Sequence, residues 1–148
     1  MMDKRVFLAA GVGLAAAAFG AMGFSSRAAA KNVTLEAPSG ADLAADAGTL
    51  LVDIRRPEEW RASGVIDGAL LVTYTSPKAF LDAVKPRLGD GQRLALICRT
   101  GNRTSRAARQ IADMLDAPIV DVKGGMQRVL AEGYRSVKPT REMGCLVC

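Results

Sequence analysis

The chain has 148 residues, 49% of them apolar and 24% charged, with a formal net charge of +5. That allows one domain with a core, and the mild basicity does not by itself imply a nucleic-acid partner. Histidine is absent, which excludes Cys-His and Ser-His-Asp catalysis and most zinc sites.

Met1 to Arg5 form a short basic start, and Val6 to Phe24 follow without a charge. Ser25-Ser-Arg-Ala-Ala-Ala30 then supplies small residues at Ala28 and Ala30. This order predicts a secretory signal over residues 1–30, cut after Ala30, and a periplasmic or secreted protein. The alternative is an uncleaved N-terminal anchor, with residues 6–24 in the inner membrane, although much of that stretch is the weak membrane formers Ala and Gly. A membrane contact is expected only if this leader is retained. The leader carries Lys4, Arg5 and Arg27 against Asp3, so the remainder stays mildly basic.

Lys31 to Leu35 reads as a first strand, and Ala37 to Gly48 as a loop with a short helix. Thr49 to Ile54 is an apolar run closed by an acid, typical of a strand buried on both faces. Pro57-Glu-Glu59 opens a helix, with proline at its first position and acids in its first turn. Gly64 and Gly68 bracket a turn before a strand at Ala69 to Val72. Ser76-Pro77 starts a helix with Phe80, Leu81, Val84 and Leu88 on one face, its last turn loosened by Pro86. Arg93 to Ile97 is the next strand. From Arg103 a helix carries Ala107, Ala108, Ile111, Ala112 and Leu115 on one face, with Arg106, Arg109, Gln110 and Asp113 outside. Pro118 to Val122 is a last strand, and Gly124-Gly125 leads into a helix reaching about Glu132. After Gly133 the chain reads as a tail. Short strands alternating with helices predict an α/β fold: a central parallel sheet of about five strands with helices on both faces. Sites in such sheets lie where strands end and helices begin.

Cys98 stands at such a point, between the apolar run Leu94 to Ile97 and the turn Arg99-Thr-Gly-Asn-Arg103. Gly101 permits positive φ, so the backbone can fold around the sulfur. Successive N–H groups in such a turn form an anion-binding nest, and the following helix adds partial positive charge. Arg99 and Arg103 add full charges, and each of these features favours thiolate over thiol. Arg99, Thr100, Gly101, Asn102 and Arg103 are therefore the candidate anion-binding loop around the candidate nucleophile Cys98. The bland reading is a small buried cysteine. The arginine cluster suits a small anion rather than a polymer, since aromatic residues are only 5% of the chain and not interleaved with the basic ones. No nucleic-acid partner, metal or cofactor is expected.

Cys98-Arg-Thr-Gly-Asn-Arg103 resembles the active loop of the rhodanese-like sulfurtransferases. Leu50-Leu-Val-Asp-Ile-Arg55, Pro57-Glu-Glu-Trp60, Gly64-Val-Ile-Asp-Gly-Ala69 and Gly124-Gly125 resemble further motifs of that family, in order. Two positions depart: Val65 stands where the family usually has histidine, and Val129 where it often has tryptophan. The resemblance implies a rhodanese-like three-layer domain over residues 31–137. It implies a sulfurtransferase that takes sulfane sulfur from a small anionic donor such as thiosulfate. Cys98 would carry the sulfur as a persulfide and pass it to cyanide or a thiol, a protein thiol included. Asp53 and Arg55 are expected to support the loop from the neighbouring strand end. The alternative is a non-catalytic module of the same fold that binds a protein. A tyrosine-phosphatase loop has five residues between cysteine and arginine, and here there are four.

Residues 138–148 are left as a C-terminal tail ending Cys145-Leu-Val-Cys148. In an oxidising compartment these two cysteines pair and leave Cys98 free, a candidate redox pair. A relay to the Cys98 persulfide, half of a shared metal site and an incidental tail are the other readings.

Overall fold

The computed structural model describes residue 30 and residues 32–148. Residues 1–29 of the expected leader and the expected first strand residue Lys31 lie outside the described residues. No helix among the described residues is long and apolar enough to cross a membrane.

Five strands form one sheet in the order β1-β5-β4-β2-β3, all parallel. They are β1 (Val33–Glu36), β2 (Thr49–Asp53), β3 (Leu70–Leu71), β4 (Arg93–Ile97) and β5 (Ile119–Val122). The helices are α1 (Gly40–Ala45), α2 (Pro57–Ser63), α3 (Pro77–Val84), α4 (Asn102–Ile111) and α5 (Gly125–Ala131). The architecture is the expected α/β one, with helices on both faces of a parallel sheet.

Local chemistry sets the boundaries. Ser39 caps α1 by accepting the Asp42 N–H, and Asp42 returns the bond to the Ser39 N–H. Ser76 caps α3 by accepting the Ala79 N–H at 3.2 Å. Pro86 ends α3 early, in a 3-10 turn over Lys85–Arg87. Strand β3 keeps only two of the four residues expected from Ala69 to Val72. Its outer edge is taken by the C-terminal segment, whose Met143 carbonyl accepts the Leu71 N–H at 2.7 Å.

The period-two alternation splits the core. Leu51, Ala95, Ile97, Val120 and Val122 face α1, α2 and α5, against Leu43, Trp60, Met126 and Val129. Val52, Leu94, Leu96 and Ile119 face α3 and α4, against Phe80, Leu81, Val84, Ala107, Ala108 and Ile111. β4 lies at the middle of the sheet, so the loop after Cys98 leaves its centre.

Residues 134–145 are packed on the body. Val137 pairs with Val65 through two backbone bonds of 2.9 Å, and Cys145 is fully buried in the α2-side core. The two departures from the family motifs are both packing positions: Val65 and Val129 are completely buried.

Candidate active site

Cys98 follows β4 and has no exposed surface. The chain turns at Gly101, with φ of +98°, a conformation that residues with a Cβ rarely adopt. That turn swings the Gly101 N–H back onto the sulfur, which it meets at 3.1 Å. Thr104, also fully buried, brings its hydroxyl to 3.7 Å from the sulfur. The same hydroxyl donates to the Gly101 carbonyl at 2.9 Å. It therefore has one proton and two acceptors, and a thiolate would compete for it. The N-terminal amides of α4 begin directly beyond, without intrahelical partners.

A second turn braces the loop from below. Met126 and Gln127 donate their N–H groups to the Cys98 and Arg99 carbonyls at 2.8 and 3.0 Å. Gly125, with φ of +57°, directly precedes them. A Cβ there would fall 2.7 Å from the Arg99 carbonyl carbon and would also strike the Cys98 oxygen. Only glycine permits this approach. The Gly124-Gly125 pair thus holds the loop that carries the cysteine.

The charged residues divide by role. Arg103 forms a two-pronged ion pair with Glu59 at 2.8 and 2.6 Å. This pair, more than the N–H of Arg56, holds the Glu59 carboxyl down at about 2 against the opposing effect of burial. Arg103 in turn is held more firmly protonated, chiefly by Glu59 and with a smaller contribution from the charge of Cys98. Asp53 and Arg55 are both buried and joined by bonds of 3.0 and 2.7 Å. Arg55 also donates to Ser63 Oγ at 2.6 Å and to the Gly64 carbonyl at 2.7 Å. It therefore fixes α2 to the end of β2, and α2 presents Glu59 to the loop.

Of the expected loop residues, Arg99, Thr100 and Asn102 are exposed, Gly101 touches the sulfur and Arg103 is committed to Glu59. A groove of about 420 Å³ opens beside the loop between α2 and α5, lined by Arg55, Glu59, Ser63, Arg99, Gln127 and Leu130 among others. Cys145 and Cys148 form a disulfide and are not brought to this loop. Cys145 is in the core of the α2 side, whereas Cys98 is in that of the α4 side.

Sequence reasoning missed Thr104, Glu59 and the Ser105–Asp121 contact. Ser105 donates to Asp121 Oδ2, tying the first turn of α4 to β5, and the other Asp121 oxygen has no partner among the described residues. Thr104 carried a usable signal, a hydroxyl six residues after the cysteine in the first helical turn. Glu59 in the sequence signals only a first-turn acid facing its own helix dipole.

The family model for rhodanese-like domains matches residues 37–132. A rhodanese-related protein from Thermoplasma volcanium has a similar structure, with TM-score 0.54 and 28% identity, over 70% of this chain and 99% of that one. A protein of unknown function from Rhodopseudomonas palustris, described as a possible tyrosine phosphatase, gives TM-score 0.57 and 24% identity, over 70% and 85%. A Staphylococcus saprophyticus protein gives 0.50 and 22%, over 68% and 98%. None of the curated proteins matches the chain. With the family model spanning well over half of its length, the chain belongs to the rhodanese-like domain family.

Proposed function

We propose that the chain is a sulfurtransferase that carries sulfane sulfur on Cys98, from thiosulfate or a similar small anion to a thiol or cyanide. The observation that carries this reading is the Gly101 N–H directed at the Cys98 sulfur at 3.1 Å, inside a loop that runs into the N-terminus of α4. A static N–H donor and a helix N-terminus beside one sulfur suit a group that is anionic before and after it gains a second sulfur.

In the first step the Cys98 thiolate attacks the outer sulfur of thiosulfate. A Cys98 Sγ–S bond forms, the thiosulfate S–S bond breaks, and its electron pair leaves with sulfite. In the second step an acceptor thiolate, or cyanide, attacks the outer sulfur of the persulfide, and Cys98 recovers its thiolate. Burial of Cys98 requires the loop to yield before a donor reaches the sulfur, and the same burial keeps bulk thiols away from it. Arg99, exposed at the groove, is suited to attract the anionic donor.

The phosphatase description of one structural relative is the second enzymatic reading. Four residues separate Cys98 from Arg103, and Glu59 occupies the guanidinium that a phosphoryl group would need. Both points favour sulfur. The test is intact mass of the folded chain after thiosulfate, beside Cys98→Ser. Gain of one sulfur that cyanide removes and Cys98→Ser abolishes supports transfer. No uptake by reduced, folded protein from thiosulfate or from a persulfide donor would leave a non-catalytic module that binds a protein. Export through residues 1–30, or anchoring by residues 6–24, belongs to the same proposal and is tested by N-terminal sequencing of the cell-derived protein.

A further inference from the structure

The C-terminal segment is built into the body along α2, the turn that follows it and β3. Ser136 Oγ donates to the Ser63 carbonyl at 2.8 Å, where α2 ends. Val137 pairs with Val65, the Asp67 N–H donates to Tyr134 Oη at 3.0 Å, and Met143 pairs with Leu71. Arg61 of α2 donates to the Val147 carbonyl at 3.4 Å. Cys145 is fully buried in the same apolar cluster as Trp60 of α2. Its disulfide partner Cys148 is exposed, and between them Leu146 and Val147 are 74% and 66% exposed.

This arrangement is asymmetric. A thiolate must approach a disulfide in line with the bond it breaks, from the side opposite the leaving sulfur. Only Cys148 can be approached in this way, because the far side of Cys145 is protein. The leaving sulfur then stays inside the fold. Leu146 and Val147 form an apolar tip beside the attacked sulfur and give a protein thiol a surface to meet. Helix α2 also touches both the segment and the cysteine loop. Its last turn holds the segment through Arg61 and the Ser63 carbonyl, and its first turn holds Arg103 of the cysteine loop through Glu59.

We infer that Cys145 and Cys148 form a thiol–disulfide exchange site entered at Cys148 by a free thiol, and that α2 transmits the change to the cysteine loop. An attacking thiolate forms a mixed disulfide with Cys148, the Cys145–Cys148 bond breaks, and its electron pair goes to Cys145, which takes up a proton. A second thiolate attacks the sulfur that the first thiol contributed to the mixed disulfide, the bond to Cys148 breaks, and Cys148 leaves as thiolate while the two thiols leave as their disulfide. Two thiols are oxidised and one protein disulfide is reduced. The reductant is a low-molecular or protein thiol, the class that accepts sulfur in the reading above, and the activity part of this inference rests on that reading.

The folded chain is incubated with reduced glutathione, quenched with iodoacetamide without denaturant, and mapped by mass. Carbamidomethylation at Cys148, with Cys145 protected until the chain is unfolded, is expected. In parallel, folded Cys145→Ser should form a mixed disulfide with oxidised glutathione, and Cys148→Ser should not. A disulfide that resists glutathione in the folded chain, or a Cys148→Ser protein that reacts as fast as Cys145→Ser, overturns the exchange site. If a variant does not fold, the mapping of the unaltered chain decides alone. Trp60, the sole tryptophan, reports the coupling. Its emission should shift on reduction, and the thiosulfate KM should rise roughly fivefold. Unchanged emission and KM overturn transmission through α2. Failure of the sulfur-transfer reading looks different: no persulfide forms in either redox state, while exchange at Cys148 is still visible by mass.

Discussion

Glu59→Gln separates two roles for Arg103, a clamp that positions the cysteine loop and an anion site in its own right. In the folded protein the Glu59 carboxyl is drawn from 4.5 to about 2, first by its bonds to Arg103. At about 1.4 kcal/mol for each tenfold change in proton affinity, that depression sets an upper bound near 3.5 kcal/mol. Arg103 is 41% exposed, so water and salt screen the pair and the expected loss is about 1–2 kcal/mol. The folded carboxyl is depressed, so its contribution is complete above the unfolded value near 4.5 and is lost as pH falls towards 2. Urea unfolding followed by Trp60 emission should show the variant about 1–2 kcal/mol less stable at pH 7, with the gap closing at the acid end. If both proteins lose stability equally between these two pH values, the pair is not the cause of the shift.

Activity adds a second readout. Glutamine still accepts the Arg56 N–H, so the start of α2 is preserved while the charge is removed. If Glu59 positions the loop through Arg103, the thiosulfate KM rises and persulfide formation slows. If Arg103 binds the donor by itself, releasing it from Glu59 lowers KM, and the positioning role fails.

Thr104→Val removes the hydroxyl beside the sulfur and should slow persulfide formation about 10- to 100-fold, while Thr104→Ser retains most of the rate. Single-turnover mass spectrometry checks both. Gly125→Ala forces a Cβ against the Arg99 carbonyl at a positive φ, which costs about 1–2 kcal/mol in backbone strain before any displacement of the loop. It should lower both Tm and sulfur uptake, and a fully active variant would show that the brace is dispensable. Arg55→Met strands the buried Asp53 carboxylate and should destabilise the fold by about 3–5 kcal/mol in urea unfolding. The double variant with Asp53→Leu should recover part of that loss.

The strand, cysteine and helix of the site were legible because they are local. An apolar run that stops at Cys98, a glycine three residues on, and a helical period from Ala107 to Ile111 all lie within the eighteen residues Leu94 to Ile111. The partners that give the loop its geometry are not local. Glu59 is 44 residues from Arg103, and a first-turn acid looks the same whether it serves its own helix or a distant arginine. Asp53 and Arg55 were recognisable as a pair, but their direction was not. Arg55 donates its other bonds to Ser63 and Gly64, so the pair acts on α2, which carries Glu59 to the loop. The segment after Gly133 has no hydrophobic period, since it is held by backbone bonds to Val65 and Leu71 and by single buried side chains. Edge pairing of that kind leaves no trace in a sequence window.

The absence of histidine sets one more expectation. Imidazole is the side chain that ordinarily changes charge between about pH 5 and 8, and this site has none. Glu59 ionises at about 2, far below that window, and guanidinium groups stay charged above it. The donors around Cys98 are a backbone N–H, a hydroxyl and a helix N-terminus, none of which titrates there. Persulfide formation from thiosulfate, measured in a single turnover so that no acceptor thiol contributes, should show no falling limb between about pH 5 and 8. A bell-shaped profile would require a second titrating group, and with it an acid or base catalyst that this arrangement does not contain.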